Sequence, residues 1–332
     1  MGELRKVIRP ALLAILGLAL AAGATYAQAS TAGAKSQPAG SAATPRTPWG
    51  DPDLQGVWTT QTTTPLERPA KYGDRAQLSA EEVAELQKEA NVRGDRPPAP
   101  GDTGTSNQFW MEPTKVLART SLIVDPPNGR LPALTPEAQR NIASRAAYLQ
   151  VHQADSWEDR SVWERCLGRG MPRVGSNNGS NLQISQAPGY VVVATEVVHE
   201  TRVIPVDGRP RLPEQVRLWN GDARGHWEGA TLVVETTNFL DRPNSLLPGI
   251  RNDGFGMSAR ALRVVERFTR VGPDRIDYQF TIHEPGTFIR PWTVDTPMTS
   301  LPGGLHEYAC HEGNYGLANI LSAQRATEKQ AK

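Results

Sequence analysis

The stretch "ALRVVERFTRVGPDRIDYQFTIHEPGTFIRPWTV", residues 261–294, decides the fold. Within it, "RIDYQFTIH" places Ile276, Tyr278, Phe280 and Ile282 on one face. Arg275, Asp277, Gln279, Thr281 and His283 fall on the other. That period of two marks a half-buried strand. Gly272-Pro273-Asp274 interrupts the pattern and predicts a hairpin. In the partner strand Leu262, Val264 and Phe268 share a face, with Glu266 intruding among them. A glutamate there stands either at a barrel mouth or inside a site, so Glu266 is a candidate substrate-binding residue.

The same pattern continues on both sides. "NLQISQAPGYVVVATEVVHETRVIPVDGRPR" (181–211) predicts strands around 182–186, 190–198 and 201–205. "QVRLWNGDARGHWEGATLVVETTNF" (215–239) predicts a strand, a Gly-Asp turn, a short strand, a Gly turn and a long strand. "PDLQGVWTT" (52–60) opens the set and "GLHEYACHEG" (304–313) closes it. About nine strands with short connections and few helices predict a mainly β protein, an antiparallel barrel or sandwich. Lipocalin-like barrels carry a Gly-x-Trp on their first strand, and Gly56-Val57-Trp58 looks similar.

Two helices are legible before the strands. "LSAEEVAELQKEAN" (78–91) has Ser79 and Glu82 spaced as a capping box, with Val83, Leu86 and Ala90 as an apolar stripe. "LTPEAQRNIASRAAYLQ" (134–150) has Thr135 as N-cap, Pro136 at the first helical position, and Ile142, Ala146 and Leu149 facing inward. "RTSLIVDPPNGR" (119–130) reads as a short strand entering a turn.

Arg5, Lys6 and Arg9 precede an apolar run, residues 11–24, and an A-x-A pattern at Ala27-Gln28-Ala29. This is the layout of a secretory signal peptide, and the run is shorter than a bilayer-spanning helix. The expected organisation is therefore a signal peptide (1–29), a disordered linker (30–48) and one β-rich domain (49–322). Within that domain a helix and loop cap (49–180) precedes the barrel strands (181–322), and a frayed tail (323–332) follows. Export to a periplasm or medium is expected, with no membrane-spanning segment once the signal is removed. The 36 basic and 35 acidic residues nearly balance and form no basic cluster after the signal, which argues against nucleic-acid partners. In an exported chain the two cysteines, Cys166 and Cys310, are expected to pair. The bridge would close a loop of about 145 residues, worth about 4–5 kcal/mol in the chain-entropy model.

Five strings together resemble a large family of exported bacterial proteins of unsettled function: "PDLQGVW" (52–58), "SWEDRSVWERCLGRGMP" (156–172), "GDARGHWEGATLVVETTNF" (221–239), "VVERFTRV" (264–271) and "HEYACHEGNYGLANIL" (306–321). The resemblance covers most of 49–321 and implies export and a single domain. It implies no activity. Family members more often read Ser-Arg-Gly-Arg-Trp-Glu-Gly-Asp where this chain has Ala223-Arg224-Gly225-His226-Trp227-Glu228-Gly229-Ala230. His226 therefore departs from the family pattern.

The chemistry-bearing residues allow several readings. A metal site lacks ligand spacing, because His306 and His311 are five apart and neither HExxH nor CxxC occurs. Only a site assembled across strands from His199, His226 and Glu228 would remain, so no metal is expected. No G-x-S-x-G and no phosphate-binding Gly loop occurs, so neither a serine nucleophile nor a nucleotide cofactor is expected. Ser176 and Ser180 read as part of a polar loop. If the disulfide forms, it brings Glu164 and Arg169 to His311, Glu312, Asn314 and Tyr315. Such a group can move protons on a bound organic molecule without a cofactor, as lyases, isomerases and hydrolases do. His226 and Glu228 form a second acid/base pair. Trp163, Trp227, Trp292, Asn314 and Glu266 are the candidate substrate contacts. The alternatives are a non-catalytic lipocalin-like binder of a hydrophobic small molecule, or a structural envelope protein held by partners. The oligomeric state stays open.

Overall fold

The computed structural model describes residues 45–93, 114–168, 172, 181–241 and 259–330. These belong to one compact unit that begins at Ala43. The expected signal peptide, most of the expected linker, Arg169, Ser176 and Ser180 lie outside the described residues. The end of the expected linker is built in: Arg46 bridges to Pro52 and Thr47 is buried.

Ten strands are present: β1 (Gly56–Thr59), β2 (Ile123–Asp125), β3 (Asn181–Ala187), β4 (Tyr190–Thr195), β5 (Thr201–Pro205), β6 (Asp222–Glu228), β7 (Thr231–Thr237), β8 (Arg263–Gly272), β9 (Arg275–His283) and β10 (Trp292–Ser300). They pair antiparallel in the order β5-β4-β3-β1-β10-β9-β8-β7-β6, and β2 adds to β10. The sheet curls into a nearly closed, lipocalin-like barrel. Its two edge strands approach without forming a ladder. A Cβ at Gly225 on β6 would lie 2.9 Å from Val206 Cγ1 and 3.1 Å from Ile204 Cγ2, so glycine permits the approach.

The alternation read from residues 261–294 is the alternation of the barrel wall. Ile276, Tyr278, Phe280 and Ile282 point inward and are at most 3 % exposed. They meet Val264, Phe268, Trp292, Val294 and Met298 in one core. Each such apolar side chain contributes about 1.5–3 kcal/mol on burial. Trp58 is buried as well. Its Nε1 donates to Leu54 O at 3.0 Å, and the Arg270 guanidinium lies 5.3 Å from its ring centroid. Gly56 has φ +142°, and a Cβ there would lie 3.2 Å from Trp58 Nε1, which accounts for the Gly-x-Trp spacing.

Helices α1 (Ala80–Arg93) and α2 (Pro136–Val151) start at the caps read from the sequence. Glu82 N donates to Ser79 Oγ at 3.2 Å and Ser79 N donates to Glu82 Oε2 at 2.8 Å, a reciprocal capping box. Ala138 N donates to Thr135 Oγ1 at 3.1 Å. The inner face of α2 is shallower than expected. Ile142 and Leu149 are half-buried, Ala146 is exposed, and Arg145 takes the inward place.

Three expectations are corrected. "GLHEYACHEG" is not a strand: residues 301–314 form an irregular segment, so the two-faced arrangement of Glu307, Ala309 and His311 against His306, Tyr308, Cys310 and Glu312 does not exist. Two of its backbone N–H groups, those of His306 and Tyr308, are instead taken by side chains of the turn after β4. The expected frayed tail is part of α3 (Tyr315–Gln330), tied down by Arg325, whose Nη1 donates to Asp155 O at 2.8 Å. The expected strand around 215–219 is a loop with a single bridge, Leu218 to Phe239.

Candidate functional site

Cys166 and Cys310 form the disulfide, which pins the 154–168 segment to the 301–314 segment. Both lie beside the rim where β4 turns into β5. That turn is unusual. β4 stops at Thr195, and Val198 and His199 both adopt the left-handed region, with φ 63° and 53°. A β-branched residue there is a true outlier, and left-handed non-glycine residues gather at functional sites. Cys166 shares the feature, with φ 55°.

The kinked turn aims three side chains at the disulfide-linked segments. Glu196 is buried. Its Oε2 accepts from His306 N at 3.0 Å, and its Oε1 accepts from Asn181 Nδ2 at 3.3 Å. His199 Nε2 accepts from Tyr308 N at 3.4 Å, which leaves the ring proton on Nδ1. Glu200 is buried against Gly168, where a Cβ would lie 2.3 Å from its Oε1. Glu196 and His199 supply the pairing that a strand partner would otherwise give to residues 306–308, and Glu200 faces the 154–168 segment instead.

The result is an open cleft of about 480 Å³. Trp163 and Tyr308 line it, with ring centroids 5.9 Å apart, together with Glu164, Glu307, Glu312 and Asn314. Glu164 is the most firmly held. Its carboxylate accepts from Arg160 and from Ser161 N and Oγ, at 3.0 and 2.9 Å from Ser161. Burial works to raise its pKa, but Arg160 and Ser161 outweigh burial and hold it below the usual carboxylate range. Asn314 Nδ2 donates to Glu164 O at 3.4 Å. Glu307 and Glu312 are exposed and make no hydrogen bond or ion pair among the described residues. His311 is exposed at the same loop, and Tyr315, at the start of α3, is 73 % exposed. Glu164, Glu312 and Asn314 therefore share the cleft, with His311 and Tyr315 at its margin.

The other candidates lie elsewhere. His226 and Glu228 are on the outer face of β6, His226 Nε2 3.2 Å from Glu228 Oε1. Arg267 donates to Glu228 at 2.7 Å and, with His226, holds its carboxyl below the usual range. Trp227, Trp292 and Glu266 point into the barrel. Glu266 is fully buried and accepts two bonds from Arg202, at 2.5 and 2.9 Å, and one from Tyr278 OH at 2.7 Å. Burial and then the Glu266 charge push the Tyr278 hydroxyl well above its ordinary pKa, so it stays a donor. Among the described residues no group of three His, Cys, Asp or Glu side chains is placed to hold a metal ion.

A second acidic position lies at the far strand ends. Glu284, just after β9, is 2 % exposed. Its Oε1 accepts from Gly286 N at 3.0 Å, and its Oε2 has no partner among the described residues. Burial pushes its carboxyl up to about 7.

Glu196 and Glu200 were not singled out from the sequence. The signal available was two glutamates, four apart, inside the otherwise strand-like "TEVVHETRV" (195–203). No helix among the described residues is long and apolar enough to cross a membrane. Comparison with family models, curated proteins and solved structures returned no match to this chain.

Proposed function

We propose that this is an exported barrel protein that binds a small organic molecule in the disulfide-clamped cleft and acts on it by cofactor-independent acid/base chemistry. The observation that carries the reading is the strained β4–β5 turn, which spends two left-handed non-glycine residues to hold Glu196 and His199 against the cleft backbone. In this reading Glu164, kept ionised, orients the ligand and stabilises positive charge. Glu312 is the solvent-connected base, with His311 beside it. Trp163 and Tyr308 supply the apolar contact. The ligand sits at the rim and not in the lumen, because the inward positions carry large side chains such as Trp58, Phe268, Phe280 and Trp292, each at most 1 % exposed. The disulfide and the resemblance of the five strings to an exported family support the compartment.

The test is a time-resolved ligand-observed NMR screen of small esters, lactones and hydroxy acids. It compares the exported protein with Glu312→Gln and Trp163→Ala. Binding lost in Trp163→Ala, with turnover lost in Glu312→Gln and the fold retained, supports the reading. Turnover unchanged in both variants, or no compound bound by the parent protein, sinks it.

A further inference from the structure

Helix α1 packs over the segments 63–72 and 116–120 and leaves a pocket of about 260 Å³ between them. We propose that this pocket is a second, independent binding site, for a small aromatic carboxylate.

The pocket is preformed. Pro65 and Pro69 hold one wall with fixed φ. Gln87 staples α1 to the opposite segment: its Nε2 donates to Thr114 O at 2.8 Å, and its Oε1 accepts from Val116 N at 3.0 Å. The capping box at Ser79 and Glu82 fixes the start of the helix. Its volume suits one ring with a short substituent, and its mostly apolar wall is the usual lining of a small-molecule site.

The polar groups select the ligand. The hydroxyls of Thr64 and Thr120 are already engaged, with Leu117 N and Arg75 O respectively. That leaves Lys71, Arg119 and Glu89 as the charged lining. Arg119 is held by Asp295, its Nη1 3.1 Å from Oδ1. Lys71 has no ion pair among the described residues, and its Nζ lies 4.9 Å from the Tyr72 ring centroid. Arg75 sits against the same ring at 5.4 Å. A cationic ligand would meet Lys71 and Arg75 where it would seek the Tyr72 face. The lining carries two cations, Lys71 and Arg119, against one carboxylate, Glu89, so an anion is favoured. It meets Lys71, which feels the nearby Glu82 charge but forms no ion pair among the described residues. The apolar contacts take the ring, at Leu86, Ala90 and Val116, and Lys71 takes the carboxylate.

The test uses benzoate, neutral benzamide and cationic benzylamine as probes, read by calorimetry and saturation-transfer NMR on the full chain. Benzoate is expected to bind saturably and more tightly than benzamide, with benzylamine weakest. Lys71→Glu changes an exposed side chain, so the thermal midpoint is unchanged. It is expected to weaken benzoate at least tenfold and leave benzamide unaffected. Leu86→Trp fills the pocket and is expected to abolish binding of both. Trp163→Ala, in the other cleft, is expected to change neither. Absence of saturable benzoate binding, equal benzoate affinity in Lys71→Glu, or tighter binding of benzylamine would overturn the proposal. If Leu86→Trp does not fold, the Lys71→Glu comparison decides alone.

Discussion

Glu266 and Glu228 sit on strands β8 and β6, both joined to β7, and each pairs with an arginine, yet they belong to opposite worlds. Glu266 faces inward, fully buried, and is met by Arg202 and Tyr278. Glu228 faces outward, half exposed, between His226 and Arg267. The residue types are nearly the same, and the difference is one step of strand parity. Inside, neither charge can be left unpaired, so the trio fixes how β5 sits across the barrel from β8. Outside, water solvates each partner already, and the pair contributes little to stability.

The largest expected effect breaks the inner trio. Glu266→Gln leaves Arg202 charged and buried, and should cost about 3–5 kcal/mol in urea unfolding. Replacing both partners, Arg202→Met with Glu266→Leu, should recover most of that loss. If the single variant costs no more than the double, burial is not what distinguishes the two sites.

Glu284 sharpens the contrast, since it is a buried carboxyl with no arginine. Its folded pKa, about 7, lies above the ordinary carboxylate value. The folded state therefore binds the proton more tightly than the unfolded chain. Stability contributed here is full below the unfolded pKa and falls as pH rises to about 7. The loss is of the order of 3 kcal/mol across that window. Glu284→Gln should flatten this part of the pH–stability curve, measured by denaturant midpoints between pH 4 and 8. A slope unchanged in the variant would show that Glu284 is not its source.

The smallest effect is on the outer face. Glu228→Gln should leave the unfolding midpoint within experimental scatter, and added salt should not separate it from the parent. A clear loss would mean that the outer cluster is structural after all.

Legibility followed the same physics. Strands with one face buried declare themselves by alternation, and residues 261–283 did so almost residue by residue. Helix caps declare themselves by local hydrogen bonds, so Ser79 and Thr135 were readable. The candidate site was half readable, because the disulfide named two of its segments and brought in Glu164, Asn314 and Glu312. The rest was not readable. "HEYACHEG" alternates like a strand, but its partners are the Glu196 and His199 side chains and not a neighbouring backbone. Nothing local announces the kink at Val198, since neither left-handed residue is a glycine. It is closed by Thr195, whose N donates to Glu200 O at 2.8 Å, and held in place by the contacts of Glu196 and His199 with residues 306–308.

The four-residue strand β1 has a consequence for how the chain is made. It lies between β3 and β10, so it alone carries the hydrogen-bonded connection between the β3–β5 group and the β6–β10 group. Its partner on one side, β10, ends more than two hundred residues later, with Trp58 opposite Ser300. No amount of early synthesis can complete the sheet, because the first strand must wait for the last. Such sequence-distant pairing slows folding. It also keeps the two halves of the sheet apart until nearly the whole chain is available to pair.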